Sequence, residues 1–408
     1  MKIFIMLFFL LIFESNILLS SNKNIILEEK EDMLLTGIRS IDFNSDGSKF
    51  LILDLSMKRV FQYESKSGKL LNNIYAGHYI SNSFRDFKGK LNNYRGKKWE
   101  VLKWDKDGNK IDYERDKEEY KYINNTFKKL YYDDYDNIKI ETSVNALIYG
   151  DLTEKVNMIY DTKLSLLTCN SKLGIENVLF FSSETNSYPM GLLNSSENHI
   201  FTKVMPATKL KKVNLLYSDL PIISEFDAHG EFISNIAYLP EFYQKNNIGY
   251  KYFENRPITT IRGDELIYAF PFENYIRFSG SSKEIKLQNI GKNNIKKMKT
   301  ASDLLGEEIN IVQRYNYFPV EIRNLFNYKN DLFVFVKVKI KENENNYYFL
   351  MQKYDINSGK LLREAKVNNI IKYQPFTMSK DCKYIYTTAL EDENYVVRKH
   401  EVESLWEK

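Results

Sequence analysis

Short apolar runs separated by polar turns recur from one end of the chain to the other, in the pattern of half-buried strands joined by tight turns. Two nearly identical stretches define the unit: residues 63–71 read YESKSGKLL and residues 354–362 read YDINSGKLL. Looser copies stand at 104–111 (WDKDGNKI) and 226–233 (FDAHGEFI). In each, an aromatic and an acid precede a polar turn ending in Gly, and paired apolar residues follow, which spells strand, turn and strand. Gly68, Gly108, Gly230 and Gly359 occupy the point where φ is expected to be positive, a conformation that a Cβ resists. The flanking Asp, Asn and Ser stabilise such turns through their own side chains.

A second unit is a polar turn that leads into a short buried strand. It is clearest at 44–54 (NSDGSKFLILD) and 379–388 (SKDCKYIYTT), with comparable runs at 199–204, 265–270 and 332–338. Residues 38–74 hold a complete four-strand set, at 39–43, 50–53, 60–63 and 70–74, with turns at Asp46-Gly47 and Ser67-Gly68. From about 77 to 139 the chain is charged, Tyr-rich and irregular. There the pattern predicts a hairpin over 99–111 and a helix over 116–130, where Tyr120, Ile123, Phe127 and Leu130 fall near one face.

Hairpins at Gly68, Gly108, near Asp161, and at Gly230, Gly280 and Gly359 mark off six units, each long enough for a four-stranded blade. The fold class expected is all-β, a six-bladed β-propeller. Seven blades is the alternative, because 77–139 and 291–328 have room for a further unit. The last unit, 376–402, supplies three strands and stops, whereas 24–29 (NIILEE) reads as one strand with no partner nearby. An open ring would expose an unpaired strand edge at each end. Residues 25–27 are therefore expected to form the outer strand of the last blade, beside 395–402.

Composition fits one folded domain over 22–408: 43% of the 408 residues are apolar and 14% aromatic. The first 21 residues differ. Lys2, an apolar run over 3–13 and a polar break at Glu14 read as a signal peptide, and the run is shorter than the ~20 residues that span a bilayer. Export to the periplasm or the exterior is expected, with an uncleaved anchor as the alternative. No second apolar segment of membrane length exists, so no integral span is expected after signal removal. Cys169 and Cys382 are far apart, and Cys382 stands in the slot that Gly47 fills in the matching unit; one strand cysteine and one turn cysteine are expected rather than a disulfide. Lys and Arg number 58 against 54 Asp and Glu, interspersed throughout, which argues against a nucleic-acid partner.

Candidate chemistry is sparse. The four histidines, His78, His199, His229 and His400, have no metal-ligand spacing. His229 falls in a turn and His400 in the last strand, while His199 and His78 are placed to face the propeller mouth. Asp133, Asp134 and Asp136 lack the Gly and distal Glu of a calcium loop and read as a solvated loop. Arg262-Gly263-Asp264 reads as the turn before a strand, not as an adhesion motif. There is no nucleophile elbow and no Gly-rich phosphate loop. No catalytic, cofactor-binding or metal-ligating residue is assigned from the sequence, and no cofactor is expected.

The turn-strand unit SKDCKYIYTT and the hairpin YDINSGKLL resemble those of TolB-like six-bladed β-propellers, and the whole run is similar to uncharacterised exported bacterial propeller proteins. The resemblance covers most of the mature chain and implies blades, not an activity. Two departures stand out: the lipid-modified Cys with which such exported relatives usually begin is absent, and 77–139 matches no blade. The function expected is that of an exported, monomeric, non-catalytic binding or scaffold protein of the cell envelope, with a protein or glycan partner on the loop face. The alternative is a hydrolase or lyase acting on peptide or polysaccharide at the channel mouth.

Overall fold

The computed structural model describes residues 24–29, 34–76, 103–104, 110–111, 119–149, 159–181, 187–206, 221–241, 243, 256–290, 320–339, 347–368, 370–371 and 375–406. Strand β1 (Asn24–Ile26) comes first. Blade 1 is β2 (Ile38–Phe43), β3 (Lys49–Asp54), β4 (Arg59–Glu64) and β5 (Leu70–Tyr75), and a two-stranded ribbon, β6 (Lys103–Trp104) with β7 (Lys110–Ile111), follows it. Blade 2 is β8 (Glu119–Tyr132), β9 (Ile138–Tyr149), β10 (Ile159–Cys169) and β11 (Ile175–Phe180). Blade 3 is β12 (Ser187–Ser195), β13 (His199–Pro206), β14 (Pro221–Asp227) and β15 (Phe232–Tyr238). Blade 4 is β16 (Ile258–Arg262), β17 (Glu265–Ala269), β18 (Tyr275–Phe278) and β19 (Glu284–Lys286). Blade 5 is β20 (Val320–Tyr328), β21 (Asp331–Lys339), β22 (Tyr347–Asp355) and β23 (Leu361–Lys366). Blade 6 holds β24 (Phe376–Met378), β25 (Tyr384–Glu391) and β26 (Asn394–Glu401), and the short helix α1 (Glu403–Trp406) follows.

Six four-stranded antiparallel sheets thus form a six-bladed β-propeller. The first strands of successive sheets meet on the inside, β24 against β2, β2 against β8, β12 against β16 and β16 against β20. The second strands are buried on both faces, which is why they read as continuous apolar runs: Leu51, Ile52 and Leu53, or Val334, Phe335 and Val336, have no exposed surface. Among the described residues, six apolar clusters fill the six blade interfaces. Leu53 and Val60 meet Phe127 and Ile140 between blades 1 and 2, and Leu166 meets Leu192 and Ile200 between blades 2 and 3. Phe201 meets Leu266 and Phe270 across the next interface, Ile276 meets Val334 between blades 4 and 5, and Phe335 meets Met378 and Ile385 between blades 5 and 6. Phe43 and Tyr63 meet Tyr386 and Val397 where blade 6 returns to blade 1; there the rings of Phe43 and Tyr386 stack 3.7 Å apart.

The ring closes as the strand count requires. β1 is the fourth, outermost strand of blade 6, antiparallel to β26, with Asn24 opposite Arg398 and Ile26 opposite Val396. The pairing continues through Leu27 N–H, which donates to Tyr395 O at 3.0 Å. Blade 1 holds the closing segment from its other side: Glu28 N–H donates to Gly68 O at 2.9 Å, and Leu70 N–H donates to the Glu28 carboxylate at 3.0 Å.

Three expectations need correction. The helix over 116–130 is strand β8 from Glu119 on. Two bulges, between Tyr122 and Asn124 and between Phe127 and Lys129, each add a residue to one strand. They stretch the period-two alternation to steps of three, which imitates helical spacing. The hairpin placed near Asp161 lies instead at Asn170 to Gly174, because Asp161 is in the middle of β10, opposite Ala146. Trp104 and Lys110 pair in a two-stranded ribbon rather than a blade, although residues 105–109, and Gly108 with them, lie outside the described residues. The signal peptide over 1–21 and residues 291–319 of the stretch with room for a further unit also lie outside them.

Candidate functional site

The residues singled out in the sequence are mostly structural. His199 Nδ1 lies 2.6 Å from Glu225 Oε1 within blade 3. His229 N–H donates to Asp227 Oδ1 at 2.8 Å inside the hairpin turn. His400 sits in β26 with Nε2 3.2 Å from Thr387 Oγ1, and burial, then the nearby Arg398, pulls its pKa down to about 4. His78 lies outside the described residues. Cys169 and Cys382 are both buried free thiols, in the interfaces between blades 1 and 2 and between blades 5 and 6, and burial pushes each up to about 12. Among the described residues no group of three His, Cys, Asp or Glu is placed to hold a metal ion.

The turns between first and second strands fasten one end of the ring. Ser45 donates from its N–H and Oγ to the Asp136 carboxylate at 2.7 and 2.6 Å, joining blades 1 and 2. Tyr135 Oη donates to Glu197 at 2.9 Å, Asn198 to Asp264 at 3.4 Å and Arg262 to Asn330 at 3.0 Å, joining blades 2 to 5 in succession. The acidic loop and the Arg262-Gly263-Asp264 turn thus serve as rivets. Nearer the axis, Asp42 accepts from Tyr132 N–H at 2.7 Å and from Thr377 Oγ1 at 3.4 Å, while Lys380 Nζ donates to Tyr132 O at 2.7 Å. Burial raises the Asp42 pKa, with Lys380 as the main opposing influence.

A different group is not explained by such fastening. The β8 bulge at Phe127 and Lys129 leaves Phe127, Leu130 and Tyr132 packed toward blade 1 and turns Lys129 and Tyr131 toward blade 3. There Lys129 Nζ donates to Leu193 O, and Tyr131 Oη lies 2.6 Å from Ser195 Oγ. Opposite Lys129 in register is Glu141 of β9, 2% exposed, whose carboxylate accepts from Leu192 N–H and whose Oε2 has no hydrogen-bond partner. Arg256, exposed just ahead of β16, acts electrostatically on Lys129, Glu141 and the buried Lys203 of β13. Burial first, then repulsion from Arg256, draws the Lys129 pKa down to about 8, against the attraction of Glu141 and Asp42. The same two causes draw Lys203 down to about 8. Burial raises Glu141, opposed by Arg256, Lys129 and Lys128. Among the described residues, three cations, Arg256, Lys129 and Lys128, thus act on Glu141, and Asp42 is a second carboxylate acting on Lys129. No motif announces them; only the register of β8 against β9 brings Lys129 to Glu141.

A cleft of about 530 Å³ lies between blades 3 and 4, lined by Tyr238, Tyr268, Phe270, Glu273 and Arg277 among others. Its one guanidinium is already matched, with Arg277 donating to Glu273 at 2.5 Å and to Glu284 at 2.7 Å. By contrast, Glu141 keeps one carboxylate oxygen without a hydrogen-bond partner beside Lys129 and Arg256.

No family model matches the chain, and no curated protein matches it. Among solved structures it is similar to a Bacteroides fragilis protein provisionally described as exported, at 12% identity and TM-score 0.47, over 93% of this chain and 95% of that one. It is also similar to a DUF4221-family member from Bacteroides vulgatus, at 10% identity and TM-score 0.45, over 92% and 95%. A third likeness is to the PQQ-bound aldose sugar dehydrogenase of Streptomyces coelicolor, at 7% identity and TM-score 0.38, over 93% and 98%. These likenesses concern the fold alone.

Proposed function

We propose that the protein is an exported, monomeric, non-catalytic binding protein that holds an acidic partner, one presenting a carboxylate or phosphate, at Arg256, Lys128 and Lys129. The observation that carries this reading is that, among the described residues, three cations, Arg256, Lys129 and Lys128, act on the buried Glu141, with Asp42 the other carboxylate acting on Lys129. Unbalanced charge removed from water is costly, and an arriving anion offsets that cost. Arg256 supplies a planar fork for an oxyanion, and the lysines supply point charges behind it. Lys129 and Glu141 stand on paired strands of a closed ring, and Arg256 lies just ahead of β16. The partner is a protein or glycan bearing acidic groups. Periplasmic or extracellular residence rests on the signal-like first 21 residues, and the TolB-like kinship on the YDINSGKLL hairpin; among the described residues no helix is long and apolar enough to cross a membrane.

Titration with sulfate, phosphate and an acidic oligosaccharide tests the reading. Binding should weaken ~10-fold or more in the Arg256→Gln, Lys128→Gln double variant, the loss of two charged contacts. It should also weaken as pH rises through about 8, where Lys129 gives up its proton. Affinity that is untouched by the substitutions would overturn the assignment. A second reading, a hydrolase or lyase on peptide or polysaccharide, is favoured by Lys129, whose proton is lost near pH 8, on the same strand face as the Tyr131–Ser195 hydroxyl pair. Turnover of either substrate class that disappears in Lys129→Ala would establish it instead.

A further inference from the structure

The cleft between blades 3 and 4 is of small-ligand size, at about 530 Å³, and three kinds of group meet in it. Aromatic surface comes from Tyr238, 48% exposed at the end of β15, and from Tyr268 of β17. An acceptor comes from Glu273, which is 7% exposed and binds Arg277 Nη1 through Oε2 at 2.5 Å, leaving Oε1 for a ligand. Donors come from Arg277, whose Nε is held by Glu284 at 2.7 Å, leaving the N–H groups of Nη2. Register assembles the set: Arg277 of β18 lies opposite both Tyr268 of β17 and Glu284 of β19, and Tyr268 packs toward blade 3 with Phe270 and Ala237. A buried carboxylate and a guanidinium thus stand side by side in a cleft with an aromatic wall.

We propose that this cleft binds a neutral pyranose, with two adjacent hydroxyls on the Glu273–Arg277 pair and a C–H face of the ring on Tyr238. One hydroxyl donates to Glu273 Oε1 and its neighbour accepts from Arg277 Nη2. A carboxylate only accepts and a guanidinium only donates, so adjacent hydroxyls answer both at once. An ammonium group only donates and leaves Arg277 unanswered. An acid only accepts, and among the described residues it would enter beside Glu241, Glu273 and Glu284, three carboxylates against one guanidinium. The faintly positive C–H groups of a sugar ring suit the negative face of a tyrosine. The site goes beyond the anion-binding reading and does not rest on it, since the residues that line the cleft do not include Arg256, Lys128 or Lys129.

Ligand-detected NMR on the purified protein tests this with the methyl glycosides of glucose, galactose and mannose, against cyclohexanol, glucuronate and glucosamine. At least one of the three glycosides should bind ~10-fold or more tightly than cyclohexanol, the scale of hydrogen bonds to charged partners, and more tightly than glucuronate or glucosamine. Glu273→Gln should weaken that binding ~10-fold, and Tyr238→Ala, at a half-exposed position that the fold does not depend on, ~5-fold. The Arg256→Gln, Lys128→Gln double variant should leave it unchanged. Failure of all three glycosides to bind would overturn the proposal, as would binding that survives either cleft substitution in a folded variant. A preference for glucuronate or glucosamine over every neutral glycoside would overturn it too. None of these results touches the anion-binding reading, which stands or falls by sulfate and phosphate titration of the double variant.

Discussion

Gly68 and Gly359 occupy the same slot in the two clearest copies of the hairpin, and both have left-handed backbones, with φ of 72° and 69°. Their surroundings differ. A Cβ on Gly68 would stand 1.9 Å from Ile26 O, on the closing strand, whereas a Cβ on Gly359 would meet only Ile285 Cγ1, at 3.5 Å. Gly359→Ala should therefore cost about 1 kcal/mol, the strain of a left-handed alanine. Gly68→Ala should cost roughly 3 kcal/mol or more, since backbone must shift as well. Urea unfolding of the two variants checks the order. Cys382 takes the same conformation without being glycine, at φ 55°, and matches Gly47 at 69°; the alignment of the two units foretold the turn.

His400 supplies a pH dependence at the same scale. Its folded pKa, about 4, lies below the ordinary 6.5, so between those values the unfolded chain binds the proton more readily. Stability should fall as pH is lowered from 6.5 toward 4, and His400→Asn should flatten that slope. Denaturation midpoints across the interval measure it.

At the scale of elements, what the sequence makes legible is decided by regularity. Strands with unbroken alternation or continuous burial, such as β3, β21 and β25, declare themselves in KFLILD, DLFVFVKVK and YIYTTALE. β8 does not, because its bulges displace Phe127 and Leu130 from alternation, and a single chain carries no sign of the partner strand that defines a bulge. The candidate site was hidden for the same reason: Lys129 turns toward blade 3 only through the second of those bulges. β1 was legible by arithmetic instead, from a blade one strand short and a strand without a blade. Deleting 24–29 should lower stability by a few kcal/mol, through lost ladder hydrogen bonds and the lost burial of Leu27, and should raise aggregation from the bared edge of β26. A melting transition that does not move would contradict the role of this strand as a clasp.

At the scale of the molecule, the clasp also governs time. β1 is among the first strands to be synthesised, and its partner β26 is the last, so the pairing of Asn24 with Arg398 spans nearly the whole chain. Five blades can assemble from segments near one another in sequence, but the sixth waits for two distant segments to meet. Refolding should therefore show blade formation by circular dichroism ahead of the docking of Leu27 against Phe43 and Tyr63. Until the last blade is complete, every shorter nascent chain carries an unclasped first strand, a state in which it can be threaded through a narrow passage and only afterwards locked.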